Sequence, residues 1–490
     1  MRHSFTAAAA AVAIFCAAPA FAEGDSSLEA RVARVEQRLA DPCQASAREI
    51  QSSVDAYLST ARSDASLVGG CGSAGYDGGF WIRGGSFLLK INLTIQTRYE
   101  SWNWDTEVVE AHPGGDLSGF SLPRVTLKFS GDATCSCHYY AELEFGHHGL
   151  LFDPANDNNS QGNPNANPNQ NTLGFYYFDA VNHAFDAGET CREAWIECAA
   201  SKALSFRMGL VKLPTTRQMM TPPEMQQFAD ISLASAFIGL HVPGYTDRNR
   251  DYGVMLHGVV GCDEAWSYLV TVTNGDGPVK RNILDQTTND NLAYAARVNW
   301  DVKGHMGYEE GALRQHSCEW VASVGAWGYF YTDVLQDKSH TNFGNRTIWG
   351  VDAAAGYGGW SLTAAYTNTT IDESDLITGS VDGWSWLAQV GYLFPNSAWE
   401  VAARYSAYED AGSASGSQTF GGDEWAGAVT YYIDGHSDKV TLDVAYVLSN
   451  DDGNIVSDVY AGYSAGVRGT TGGNFQSDGI LVRLQWQLAL

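Results

Sequence analysis

Apolar side chains in this chain recur at every second position, in stretches too short to cross a membrane as helices. In the closing segment GILVRLQWQLAL, Ile480, Val482, Leu484, Trp486, Leu488 and Leu490 are apolar, and Arg483, Gln485, Gln487 and Ala489 lie between them. Successive side chains of a strand point to opposite faces, so this is a strand with one apolar and one polar side. The pattern repeats upstream. Leu89, Ile91, Leu93 and Ile95 interleave with Lys90, Asn92, Thr94, Gln96 and Arg98; Val125, Leu127 and Phe129 with Arg124, Thr126, Lys128 and Ser130; Trp399, Val401, Ala403 and Tyr405 with Glu400, Ala402, Arg404 and Ser406. From Phe80 onward sixteen such segments can be laid out.

A soluble sandwich would turn the charged faces to water, whereas a membrane barrel would turn them to its lumen. The connections separate the two cases. Alternate links are tight, around Ala200–Ala203, Gly261–Glu264, Gly358–Gly359, Pro395–Ser397 and Asp434–Asp438. Those between them are long: Leu150–Glu189, Thr215–Asn249, Asn274–Asn289, Glu409–Gly422 and Asn450–Asp478. Short turns at one end and long loops at the other describe an outer-membrane barrel, whose closed sheet pairs every backbone donor inside the bilayer. Aromatics near strand ends, among them Trp102, Trp104, Trp300, Trp384, Trp386 and Tyr432, fit interfacial girdles. The expected fold is all-β, a 16-stranded antiparallel transmembrane β-barrel over residues 79–490, in which the terminal strand pairs with the first to close the sheet.

Ahead of the barrel, Arg2 and His3 precede an apolar run from Ala7 to Ala18 and then Ala20-Phe21-Ala22, which reads as a cleavable secretory signal over residues 1–22. In residues 23–61, Leu28, Val32, Val35 and Leu39 follow coiled-coil spacing behind a Ser26/Glu29 capping box, and a second helical stretch runs from Ala45 to Ala61. Oligomer stalk and plain amphipathic helix both fit that head. The Gly-rich residues 62–78 read as a linker. Their GxGxxG, Gly70 to Gly75, leads into a strand rather than the helix a dinucleotide site needs.

With 29 Lys and Arg against 56 Asp and Glu, the chain is a poor match for nucleic acid. No cofactor, metal site or catalytic set emerges. The GxSxG at Gly462–Gly466 has no histidine after Ser464, and His147-His148 and the Asn-rich stretch Asn156–Asn171 sit in a loop. Of nine cysteines, eight remain once Cys16 is removed with the signal, and an exported chain favours disulfides over thiols. The strands that carry Cys137 and Cys198 are joined by a long loop at the far end, so their turn-side ends should be neighbours. That pair is the expected bridge. Zinc is the rival, but C-x-C and C-x6-C are not typical ligand spacings.

Three stretches resemble the phosphate-selective porins O and P: FSLPRVTLKFSGDATCSCHYYAELEFG (Phe120–Gly146), AWIECAASKALSFRMGLVKLP (Ala194–Pro214, with Gly209, Lys212 and Pro214 as G-x-x-K-x-P), and RDYGVMLHG (Arg250–Gly258). The resemblance implies an outer-membrane channel, usually a homotrimer, whose third loop folds inward to narrow the pore. Here that loop is TTRQMMTPPEMQQFADISLASAFIGLHVPGYTDRN, with Met219, Met220, Phe228, Ile231, Leu233 and Phe237 to pack on the lumen wall or to form a surface cap. Arg124, Lys128, Arg207, Lys212 and Arg217 would supply positive field near the constriction, with Lys90, Arg98 and Arg297 elsewhere along the lumen. Arg404 and Arg483 also point inward by parity. They share the lumen with Glu100, Glu142, Glu144, Glu193, Glu197, Glu400 and Asp443, and interleaved carboxylates cancel much of a cationic field. The expected function is passive diffusion of small hydrophilic solutes through the outer membrane, with a leaning toward anions or phosphate. The alternatives are a weakly cation-selective general porin and a structural or adhesion barrel. Partners would be outer-membrane lipid, the solutes, further copies of the chain, and the cell wall through the helical head.

Overall fold

The computed structural model describes residues 72–104, 116–134, 136–145, 191–241, 249–261, 263–275, 292–313, 319–332, 345–372, 380–410, 420–449 and 479–490. The signal, the head, His147-His148, the Asn-rich stretch, GxSxG and Cys135, Cys262 and Cys318 lie outside these residues.

A hairpin of β1 (Gly72–Tyr76) and β2 (Phe80–Gly84) comes first. Then follow β3 (Phe87–Trp104), β4 (Asp116–Asp132), β5 (Cys137–Glu144), β6 (Cys191–Ser201), β7 (Leu204–Lys212), β8 (Arg250–Val260), β9 (Trp266–Thr273) and β10 (Ala293–Lys303). The remainder are β11 (Val321–Tyr331), β12 (Arg346–Tyr357), β13 (Trp360–Ile371), β14 (Val381–Leu393), β15 (Trp399–Asp410), β16 (Phe420–Asp434), β17 (Asp438–Ser449) and β18 (Gly479–Ala489). Each strand from β3 on pairs antiparallel with the next, and β18 returns to β3 with Arg483 opposite Glu100, so these sixteen strands close a barrel. Closure reaches the last residue: Leu490 N–H donates to Leu93 O at 2.8 Å and Leu93 N–H to Leu490 O at 3.1 Å. The hairpin extends the sheet below this seam, with Phe80 opposite Ile91, and its first strand lies inside the stretch expected to be a linker.

Burial runs opposite to that of a soluble sheet. Along β10, Ala293, Ala295, Arg297 and Asn299 are buried while Tyr294, Val298 and Trp300 are exposed. β18 repeats this, with Arg483, Gln485 and Gln487 buried and Ile480 and Trp486 exposed. Polar inside and apolar outside is the face order of a barrel that meets lipid. The girdle expectation needs one correction. Tyr432 is 4% exposed and turns inward, where its hydroxyl donates to Glu400, because its position on β16 shares parity with buried Ala426 and Ala428.

The third loop folds into the barrel. It carries α1 (Arg217–Met220), a short 3-10 turn (Pro223–Met225) and α2 (Leu233–His241). Met219, Phe228, Ile231, Leu233, Ala236 and Phe237 form one buried cluster with Tyr408, Ala426, Ala428, Ala445, Val447 and Leu481 of the wall. Leu213 and Ile238 join a second cluster with Ala293, Ala295, Trp327 and Tyr329. Small wall residues leave room for the loop, and each large side chain taken out of water is worth roughly 1.5–3 kcal/mol. That gain holds the loop against the wall rather than over the mouth.

Candidate permeation site

The geometry around the inward loop begins with two strand irregularities. Between β3 and β4, Gln96 faces Arg124 but Arg98 faces Ser121, so Leu122 and Pro123 oppose Thr97 alone. Proline has no N–H to give a ladder, and a bulge is where a strand tolerates it. The bulge brings two guanidiniums onto one loop carboxylate: Arg98 Nη1 lies 3.3 Å from Asp230 Oδ2, and Arg124 Nη2 lies 3.1 Å from Asp230 Oδ1. Burial alone would push the Asp230 carboxyl up, but Arg124, then Arg98 and Arg483, outweigh it and hold the group below the usual aspartate range. Lys128 pairs with Glu224 in the same loop, and there too the cation outweighs burial and lowers the carboxyl.

Around the rest of the wall, Arg297, Arg404 and Arg483 each meet a carboxylate. Arg297 donates to both Asp352 oxygens at 2.7 Å. Arg404 Nε donates to Glu424 Oε1 at 3.0 Å, and Arg483 Nε to Asp443 Oδ1 at 2.7 Å. The same carboxylates also hold the loop backbone. Arg217 N–H donates to Asp352 at 3.0 Å, Ala229 N–H to Asp443 at 2.9 Å and Leu233 N–H to Glu424 at 2.8 Å. Arg98 Nη2 and Arg404 Nη1 donate in turn to the carbonyls of Ala229 and Asp230, at 2.7 and 3.0 Å. The arginine–carboxylate pairs are therefore the fittings of the constriction loop as well as lumen charges.

A second bulge lies between β5 and β6. Glu142 faces Glu193, but Leu143 faces Cys191, and Arg192 is the extra residue. It is buried beside Glu193 and reaches Glu144 at 2.9 Å, while Arg250 Nε donates to Glu193 at 3.2 Å. These two arginines and Lys212 line a small, partly open cavity with Gln218, Met219, Thr221, Pro223, Gln226 and Ile231 of the loop. Lys212 is the register partner of Arg250. Its amine donates to the Met220 carbonyl at 3.2 Å, and among the described residues no carboxylate reaches it. Just before it, Gly209 takes a φ of +141°, and a Cβ there would come 2.2 Å from the Ala194 carbonyl. Only glycine lets the two strands approach so closely, and beyond it two-residue alternation lapses, with Leu210 and Val211 both buried.

The other expected residues are dispersed. Arg207 bonds Glu197 at 2.7 Å and stacks 3.7 Å over Trp195, nearer the turn end than the cavity. Arg217 sits in the loop itself, donating to the Gly307 carbonyl. Lys90 lies half-buried toward the turn end, opposite Trp81 and Ser130. Arg98 and Arg297 belong to the paired set above. Cys137 and Cys198 are register partners with sulfurs 2.8 Å apart. Alternation found most of these residues, but it missed Arg192, whose signal was the adjacency of Arg192 and Glu193 in a strand too polar to be regular.

The family model described as phosphate-selective porin O and P matches residues 328–461, which bears out the resemblance on a part of the chain beyond the three stretches that first carried it. Among solved structures, the chain is similar to the anion-selective porin from Comamonas acidovorans, 12% identical at a TM-score of 0.50, over 82% of this chain and 100% of that one. At that identity the likeness speaks to fold. Salmonella typhi OmpF in complex with daunomycin is 14% identical at 0.48, over 85% and 100% of the two chains. OmpT of Vibrio cholerae is 8% identical at 0.47, over 83% and 99%. No curated protein matches the chain in sequence.

Proposed function

From the phosphate-selective porin O and P match over residues 328–461, we propose that the chain is an outer-membrane diffusion channel that prefers small anions, phosphate among them. The observation that carries the preference is the cavity at the inward loop, where Lys212 stands with Arg192 and Arg250 and has no carboxylate of its own among the described residues. The mechanism has no covalent step. Rate follows the gap left by the loop, and choice follows the charges beside that gap.

The test is the reversal potential of purified protein in a planar bilayer under a potassium chloride gradient, with phosphate then titrated in. Anion preference with chloride current blocked by low phosphate supports the reading. Cation preference would sink it in favour of a weakly cation-selective general porin, a reading favoured by the carboxylates that face Arg98, Arg297, Arg404 and Arg483. Absence of steady conductance steps would leave a structural or adhesion barrel.

The proposal extends to assembly and export. Residues 1–22 are removed on export, residues 23–61 form a helical head able to meet the cell wall, and three copies assemble. Crosslinking with and without residues 23–61 tests the head, and an unchanged trimer would remove it from assembly. Cys137 and Cys198 form a disulfide at the turn-side rim, a bridge of the kind that typically stabilises by about 2–4 kcal/mol. Peptide mapping without reductant should recover the linked pair.

A further inference from the structure

We propose that Glu310, carried into the barrel from the end opposite the third loop, is the positioning residue that seats the constriction. This rests on the channel reading, but its first readout does not need conduction.

Most links at the turn end are a few residues long, whereas β10 and β11 are separated by residues 304–320. Residues 304–313 do not lie across the rim as a loose turn; they rise into the lumen. Glu310 is 2% exposed, and its carboxylate gathers donors from two elements. Gln218 Nε2 donates to Oε1 at 2.9 Å, and the Gln227 backbone N–H donates to Oε2 at 3.0 Å, both from the third loop. Gln389 Nε2 donates to Oε2 at 3.1 Å from β14. The Glu310 N–H completes the contact by donating to the Met225 carbonyl at 3.0 Å. One residue thus holds both turns of the constriction loop, before and after its central prolines, and ties them to the wall.

The backbone around Glu310 is built for that approach. Gly311 has a φ of +82°, and a Cβ there would come 2.9 Å from Glu400 Oε2. Ala312 N–H donates to Glu400 at 3.2 Å, and Ala312 packs with Leu393 and Tyr432. The segment is therefore anchored by an apolar foot and a wall carboxylate, with Glu310 as its tip. A carboxylate accepting several N–H groups where water is excluded is costly to remove, since each donor is left without a partner. The loop is consequently positioned from both ends of the barrel. Its position, and with it the gap that sets passage, depends on a residue that touches no solute.

Glu310→Ala, made in the full chain and purified in detergent, tests this by amide hydrogen exchange. Exchange over residues 217–231 is expected to quicken at least tenfold while that of the barrel strands stays put. Single-channel conductance in a bilayer should at least double. Glu310→Gln, which keeps one acceptor oxygen, should fall between. Gln218→Ala alone should quicken exchange less, and the double variant should fall short of the sum of the two, because the Glu310–Gln218 contact is lost in both while the Gln218 bonds to Ser232 are lost only with Gln218. Unchanged loop exchange in a folded Glu310→Ala barrel would overturn the proposal, and so would strictly additive effects. If Glu310→Ala does not fold, Glu310→Gln decides: quickened exchange confined to the loop supports the seat, and unaltered exchange removes it. Quickened exchange in a protein whose wild type shows no conductance would overturn the channel reading and leave the seat standing.

Discussion

Two regions of the lumen hold similar residues to different effect. Along the wall, Arg297, Arg404 and Arg483 each meet a carboxylate at fixed geometry, and the same carboxylates bind backbone N–H groups of the loop. In the cavity beside β7, Lys212 faces Arg192 and Arg250 with only a carbonyl for its amine. A cation that is already paired adds little to the field felt by a passing ion, and its energy goes into holding structure. On the anion-channel proposal, an amine bonded only to a carbonyl is the one whose charge a solute would meet. The basic residues of the lumen thus divide into those paired with carboxylates that also hold the loop and Lys212, which has only a carbonyl among the described residues, a division that a count of charges does not reveal.

The largest effect expected from breaking this division is on stability at the wall. Asp352→Ala leaves Arg297 buried without its carboxylate and takes the acceptor from Arg217 N–H, so a loss of about 3–5 kcal/mol is expected in detergent unfolding. In the cavity, Lys212→Gln should leave stability nearly unchanged and weaken phosphate block of chloride current about tenfold, which corresponds to ~1.4 kcal/mol. A Lys212→Gln channel blocked as tightly as wild type would erase the distinction. Arg207→Gln sharpens it, because a partly exposed cation already bonded to Glu197 should change block less than about threefold.

The smallest effect is a flat pH profile. Asp230 is held low by Arg124 and Arg98, so its contribution to loop seating is present above the usual aspartate value and is lost only as pH falls through the depressed one. Single-channel conductance should therefore stay constant from pH 7 down to about 4, with loosening confined to more acid solution. Conductance that climbs between pH 6 and 5 would show that a group other than Asp230 governs the loop in that range.

Strand parity revealed the barrel, its polar lumen and the inward set Arg98, Arg124, Arg297, Arg404 and Arg483, because side-chain direction alternates whenever a strand is regular. It failed where regularity fails. Arg192 reaches the lumen through a bulge, and Tyr432, which its place near a strand end assigned to the girdle aromatics, turns inward by its own strand's register. The third loop was legible as apolar beyond what a solvated loop needs, but whether Phe237 capped the mouth or packed on Tyr408, at 4.8 Å between rings, was not.

The chain by itself therefore determined the sixteen strands of the closed barrel, the segregation of short and long links, the closure of its last strand on its first, and the inward residues of the regular strands. These follow from local periodicity and from the demand that every backbone group pair within a membrane. Tertiary structure alone decided which cations are paired, that Lys212 is left without a carboxylate among the described residues, and that Glu310 meets Gln218 and Gln227 across the lumen. Those contacts join residues from distant strands and opposite ends of the barrel, and their geometry exists only once the sheet has closed around the loop.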